Sequence, residues 1–421
     1  MLDRTQVPPS SPVVYEDFPH AESIRLNTGI NAFWLSSGSQ PIIKLELRLK
    51  SGIWYENVPA LSWLTAKMLM EGTSTKDART LQDSFDRLGA FIEIDAGFDF
   101  VTFSIHGIRK NFNEVLILIS EVLNDPVFHE KEFQILKDLR INDLKLNDAK
   151  NNMFASKKIR SIFFGEKHPY GRILKSEDVE NTTLDEVKDY YKNSLFNQPE
   201  LFVSGQVDQS LMAQIDETLR IPASNIIVRP SSDRSPIKAL NIDRPDSLQS
   251  SVRMAWACPH KSDPEYHDFS IANAILGGYF GSRLMKNIRE EKGYSYGISS
   301  YPVHFLKDSF CIIGTDIKAE FTQATVEAIK DEISGLQTHG ATENEIQSVT
   351  NYLAGKFQSS ISNPFKIMGK FKLIHDAGFS YEFYEDFFKA LSNFNSDKLM
   401  EMVQKYFDLN YAHLVIVGKT N

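Results

Sequence analysis

The second half of this chain repeats the first, and that limits its fold more than any other feature. ENVPALSWLTAKMLMEGT (56–73) aligns with DPEYHDFSIANAILGG (263–278). FDRLGAFIEI (85–94) aligns with REEKGYSYGI (289–298), setting Gly89 opposite Gly293. YYKNSLFNQPELFVSGQVD (190–208) aligns with VQKYFDLNYAHLVIVGKTN (403–421). Segments in the same order indicate one supersecondary unit used twice. A chain of 421 residues also exceeds one ordinary core. We therefore expect an N-terminal repeat over 1–220, a polar, proline-bearing linker over 221–245 and a C-terminal repeat over 246–421.

Apolar periodicity supplies the elements. Ile24–Leu35, with a turn at Asn27–Gly29, and Pro41–Leu49 read as strands, and Ala90–Asp95 with Phe98–His106 as a hairpin. Helices are expected over Pro59–Met70, Ala78–Leu88, Asn113–Leu123, Glu130–Ala149 and Leu184–Asn193, the last capped by Thr183. Strand Glu200–Gly205 closes the first repeat. The second runs through strand Gln249–Ala257, helix Pro264–Leu276, strand Phe310–Asp316, helices Phe321–Leu336, Glu343–Ser360 and Ser396–Phe407, and strand Ala412–Val417. Strands gathered into a sheet with helices on one face make an α+β fold, two α/β sandwich repeats, not a doubly wound one.

A net charge of −9 without a basic block argues against a nucleic-acid partner. The most apolar run, Val115–Ile119, is too short to span a membrane, so no membrane partner is expected. The first twenty residues carry four prolines and no apolar signal region. They read as an extended arm, and the expected setting is cytoplasmic. Cys258 and Cys311 form no C-x-x-C pair and read as small core residues.

Gly277–Gly297, GGYFGSRLMKNIREEKGYSYG, is the densest stretch. It reads as a glycine loop, a helix capped by Ser282 with Leu284, Met285 and Ile288 on one face, a stop at Gly293, and a strand. Arg289 falls in the last helical turn and Tyr296 early in the strand, where a helix-to-strand hairpin can bring them together. Their counterparts in the first repeat are Phe85 and Ile92, so the pair does not come from the duplication itself.

The duplication, Ser51–Gly52 after an apolar strand, MLMEGT (68–73), FFGEKHPYGRIL (163–174) and the 277–297 stretch together resemble the pitrilysin/insulinase family of zinc peptidases, from about Arg25 to Gly418. The resemblance implies a mitochondrial-processing-peptidase-like fold in which such a chain forms half of a clamshell. Active members carry H-x-x-E-H on the first helix of the first repeat, two zinc-binding histidines flanking a general base, with a distal Glu on a later helix. The matching residues here are Trp63, Leu64, Thr65, Ala66 and Lys67, and the distal position falls near Lys137. None is a zinc ligand, Ala66 cannot act as a base, and Lys67 puts a cation where the metal would sit. None of the ten histidines completes another such motif: His260 and His267 flank a turn, and His168 and His304 stand alone.

What the resemblance keeps is the Arg/Tyr pair. In the family these residues face the zinc of another repeat and hold the substrate carbonyl, and Arg289, Gly293 and Tyr296 match the R-x-x-x-G-x-x-Y pattern. A guanidinium and a phenol aimed at the carbonyl oxygen stabilise the charge that builds there as water attacks. Gly277, Gly278 and Gly281 match a loop that lines the substrate chamber in related non-catalytic subunits. The expectation is a non-catalytic subunit with no cofactor of its own, completing a heterodimeric zinc peptidase that acts on unfolded peptides and whose partner chain holds zinc. The alternative is an inert structural or peptide-binding scaffold of the same fold.

Overall fold

The computed structural model of the chain describes residues 14–224 and 238–419. Most of the expected linker therefore lies outside the described residues. The first sheet contains β1 (Glu22–Arg25), β2 (Asn31–Ser36), β3 (Ile42–Leu49), β4 (Phe91–Ala96), β5 (Val101–Ile108) and β6 (Glu200–Gly205), in the order β1-β2-β6-β3-β5-β4. The second contains β7 (Ala239–Asp243), β8 (Gln249–Ala257), β9 (Ser295–His304), β10 (Ser309–Lys318) and β11 (His413–Gly418), in the order β7-β11-β8-β10-β9. Apart from the extra edge strand β1, the two orders are the same, and each has one parallel pair, β2–β6 and β7–β11. Gly89 and Gly293 occupy the same left-handed turn, with φ of 65° and 64°. An L side chain is strained there, which is why both helix-to-strand turns end on glycine.

Strict alternation gives each sheet two distinct faces. Ile43, Leu45, Leu47 and Leu49 of β3 enter a core built with helices of the first half, including Leu61–Met68, Phe112–Asn124 and Glu130–Ala149. Val252, Met254 and Trp256 of β8 enter a core with helices of the second half, including Thr322–His339 and Ser396–Tyr406. The chain has an α+β fold with two mixed sheets flanked by helices.

Helices on one face only is too simple a picture, because each sheet's other face is covered by a helix from the opposite half. Asn151–Phe164, from the first half, lies across β8 and β11. There Ala155, Ile159, Ile162 and Phe163 pack with Ala255, Ile312, Val415 and Val417. Pro364–Ala377, from the second half, lies across β6 and β2. The cause is in the strands themselves. Buried strands that are apolar on both faces, such as β11, need a second cover.

Candidate functional site

The helix Leu61–Met68 carries the degenerate zinc positions. Leu64, Thr65 and Ala66 are fully buried beneath the first sheet. Trp63 and Lys67, one turn apart, lie on the helix's more exposed side. The Lys67 ammonium donates to the Ile94 carbonyl of β4 at 3.1 Å. The guanidinium of Arg140 lies over the Trp63 ring at 4.8 Å. Arg140, and not Lys137, is therefore the residue of Glu130–Ala149 that the structure brings to this place. Lys137 is buried and donates instead to the carbonyls of Glu180 and Thr182 at 2.7 and 2.9 Å. Three residues on a helix separate the two, and sequence spacing could not choose between them. Burial lowers the pKa of Arg140 from its usual value, and its Nε has no partner. Trp63, Ala66 and Lys67 offer no zinc ligand, and Arg140 adds a second cation, so this place does not fit a zinc ion. Among the described residues no group of three or more His, Cys, Asp or Glu is placed to hold a metal.

The 277–297 stretch is held firmly on its own side. Arg283 grips the Glu345 carboxylate with two bonds of 2.8 and 2.9 Å and donates to the Gly340 carbonyl. Asn287 reaches Glu332. The helix is wound more loosely than an α-helix from Met285 to Glu291. Its start differs from expectation: the buried Ser282 hydroxyl caps nothing and has no partner. Its end matches, since the Tyr294 N–H reaches back over Gly293 to the Ile288 carbonyl at 3.0 Å. Gly277 is buried, and a Cβ there would come within 2.7 Å of that of Ser300 on β9, so this glycine permits helix and strand to touch. Gly278 lies beside Ala274, and Gly281 packs under the Tyr279 ring.

Arg289 and Tyr296 end up differently placed. The Arg289 guanidinium stacks over the exposed Phe280 ring at 4.5 Å, a cation–π contact. Tyr296 is 93% exposed. With Arg253, Ser299, Tyr301, Thr315 and Asp316 it lines a groove of about 400 Å³. Arg289 is not among the residues of that groove, and no described hydrogen bond or ring contact joins the pair. Tyr294, expected to share the strand's alternation, stacks on Phe321 at 4.5 Å.

Sequence reasoning singled out FFGEKHPYGRIL as a motif without assigning its residues a task. In the structure it joins the two halves. The Tyr170 hydroxyl donates to Asp99 at 2.6 Å, at the tip of the β4–β5 hairpin. The other oxygen of Asp99 accepts the Leu306 N–H, at the tip of the β9–β10 hairpin, at 3.0 Å. The Tyr170 ring stacks on Phe305 at 4.1 Å. Arg172 pairs with Glu56, whose buried carboxylate also accepts from the Ser62 N–H at 2.8 Å. Burial raises Glu56 above the usual carboxylate range despite Arg172. Burial likewise pulls Arg160 down to about 10, with Arg172 alongside. His304 is not isolated: its ring lies 6.3 Å from that of His260, and its Nδ1 is 2.7 Å from the Ser309 hydroxyl. Burial, reinforced by Lys261 and His260, lowers it to about 3. Neither cysteine is in a disulfide, and burial pushes the Cys311 thiol up to about 12, an inert state.

Comparison with known proteins gives this architecture relatives. Residues 181–353 match the family model described as Peptidase M16 inactive domain. The chain is 19% identical over 425 residues, 97% of its length and 96% of the relative's, to a Bacillus subtilis protein named Uncharacterized zinc protease YmxG. It is 20% identical to a Helicobacter pylori protein named Non-peptidase homolog YmxG, over 74% of each chain. The fold matches a crystal structure of a peptidase M16 inactive domain from Pseudomonas fluorescens, with a TM-score of 0.84 at 22% identity, covering 95% of this chain and 98% of that one. Residues 181–353 are thus similar to the M16 inactive domain, and the chain is similar over most of its length to proteins named as an uncharacterized zinc protease and a non-peptidase homologue.

Proposed function

We propose that this chain is the non-catalytic subunit of a heterodimeric zinc peptidase, built from two repeats that divide near 221–245. One observation carries the reading. The second half presents a phenol, Tyr296, almost fully to solvent at a groove, while the helix Leu61–Met68 offers nothing that could bind zinc. The described residues thus offer a donor for a substrate carbonyl and, on the Leu61–Met68 helix, no group to activate water. Arg289, stacked on Phe280, swings to the carbonyl when a peptide and the partner's zinc face it. Edge strands β4 and β9 have free sides to which an extended peptide can add, which gives affinity with little sequence preference.

The test is reconstitution with an H-x-x-E-H chain of the same family and a quenched-fluorescent unfolded peptide. Each chain alone is expected to be inert and the mixture active. Tyr296→Phe or Arg289→Ala should lower kcat/KM by roughly a hundred- to a thousandfold. Full activity in both variants, or cleavage by this chain alone, would overturn the reading. The rival, an inert scaffold, draws on Arg289 stacking on Phe280 instead of meeting Tyr296; it predicts that peptides bind and no mixture cleaves them.

A further inference from the structure

The duplication provides an internal control for Tyr296. In the first half, β4 pairs with β5 without interruption from Phe91↔His106 to Ala96↔Val101. Regular alternation there turns Ile92, the counterpart of Tyr296, inward onto the first core. In the second half the same pairing is broken. Ile298 stands opposite Thr315 and Ser295 opposite Ile317, so Tyr296 and Gly297 together face Asp316 alone. This is a β-bulge, which bends a strand and re-aims a side chain. Ile298 and Ile317 still enter the second core. Tyr296 instead lies with Asp316, Ser299 and Tyr301 on the open side of the sheet.

Two hydroxyls hold the bulge. The Thr315 hydroxyl donates to the Gly297 carbonyl at 2.9 Å and lies 2.8 Å from the Ser295 hydroxyl. The Ser295 hydroxyl lies 2.6 Å from the same carbonyl and 3.1 Å from that of Asp316, and accepts the Gly297 N–H at 3.0 Å. Backbone groups that the bulge removes from the ladder are thereby satisfied by side chains.

We infer that Ser295 and Thr315 are positioning residues: their hydroxyl clasp locks the bulge and so keeps the Tyr296 phenol on the open face of the sheet. Neither need touch substrate. The inference rests on the proposed role of Tyr296 for its functional meaning, but the clasp itself can be tested without a partner chain.

The full-length chain would be labelled with 3-fluorotyrosine and the Tyr296 resonance assigned by its loss in Tyr296→Phe. Thr315→Val, which keeps the shape and removes the hydroxyl, and Ser295→Ala should each shift or broaden that resonance. Thr315→Ser should restore it. An unmoved Tyr296 resonance in both hydroxyl-deleting variants overturns the clasp, whatever the activity data show. In the reconstituted pair, Thr315→Val should lower kcat about ten- to a hundredfold with little change in KM. It should have no further effect on top of Tyr296→Phe, because the two act through one group. Equal losses from Thr315→Val with and without the phenol would also overturn the inference. Should Tyr296→Phe retain full activity while the resonance responds as stated, the clasp stands and only the proposed role of Tyr296 falls.

Discussion

Two helices cross between the halves of this molecule, and they differ in how much charge they bring to the contact. Asn151–Phe164 meets the second sheet mainly through aliphatic and aromatic groups, with Phe163 stacked on Phe310 at 5.1 Å, and its first turns add hydrogen bonds from Arg253 to Ser156 and from Arg244 to Asn151. Pro364–Ala377 meets the first sheet partly through charge. Arg48 of β3 binds Glu200 at 2.9 Å and Asp376 at 2.6 and 2.8 Å, Lys372 binds both oxygens of Glu46 at 2.8 Å, and His375 meets Glu200 at 2.7 Å. Aromatic rings line this layer too: Arg48 lies over Phe100 and Phe202 at 4.2 and 4.6 Å. Both helices do the same architectural task. An apolar contact tolerates small shifts and is indifferent to pH. A partly buried ionic layer demands correct pairing of every group, which fixes where the crossing helix sits and makes the seam responsive to protonation.

That contrast can be broken from either side. The largest effect is expected on the apolar side, where Phe164 is fully buried. Phe164→Ala should destabilise the chain by about 3–5 kcal/mol through lost burial and a cavity, read as a drop in urea midpoint relative to the parent chain that is the same at pH 5 and pH 8. On the charged side, Arg48→Met leaves Glu200 and Asp376 without their shared cation and should cost about 3 kcal/mol. Combining it with Glu200→Leu and Asp376→Leu should recover part of that loss, since a buried pair removed whole costs less than one broken. The apolar seam admits no such rescue.

Acid sharpens the comparison with a smaller effect. Burial alone would raise Glu200, but hydrogen bonds from His375 and Arg48 outweigh it and hold the carboxyl down at about 2, against an ordinary value of 4.5. Its contribution to stability is fully present above 4.5 and is lost as pH falls toward 2. His304, outside both seams, also starts low in the folded chain, at about 3 against 6.5. The unfolded chain binds its proton first, so stability declines as pH falls from 6.5 toward 3. The melting temperature should therefore fall in two stages. His304→Gln should flatten the first and Glu200→Gln the second, and identical profiles in all three proteins would refute the assignment.

Most strands and helices and the turns at Gly89 and Gly293 are legible in the sequence, because a repeat read twice checks itself. The crossing helices are not among them, although their signals are present. Ala155, Ile159, Ile162 and Phe163 have helical spacing, but only Lys150 separates the helix from the one that ends at Ala149, and it has no side-chain cap. Asn363–Pro364 and Gly378 mark the ends of the second, with Asn363 capping Lys366 and φ of 75° at Gly378. Its Lys372, His375 and Asp376 read as a solvent face, and only the fold reveals a sheet beneath them. The candidate site divides in the same way. Arg289 and Tyr296 can be named from a motif. The bulge that aims Tyr296 cannot, because SYGIS reads as an ordinary alternating strand. Arg140 depends on helix rotation, which spacing does not encode.

The exchange of helices also bears on how the chain moves. Each half lends the other a covering helix, and Tyr170 ties both hairpin tips together. A hinge opening within the chain would have to tear two contact layers at once, one of them charged. Such a chain moves as one rigid jaw. In the proposed heterodimer, opening to admit a peptide would then take place at the boundary with the partner chain.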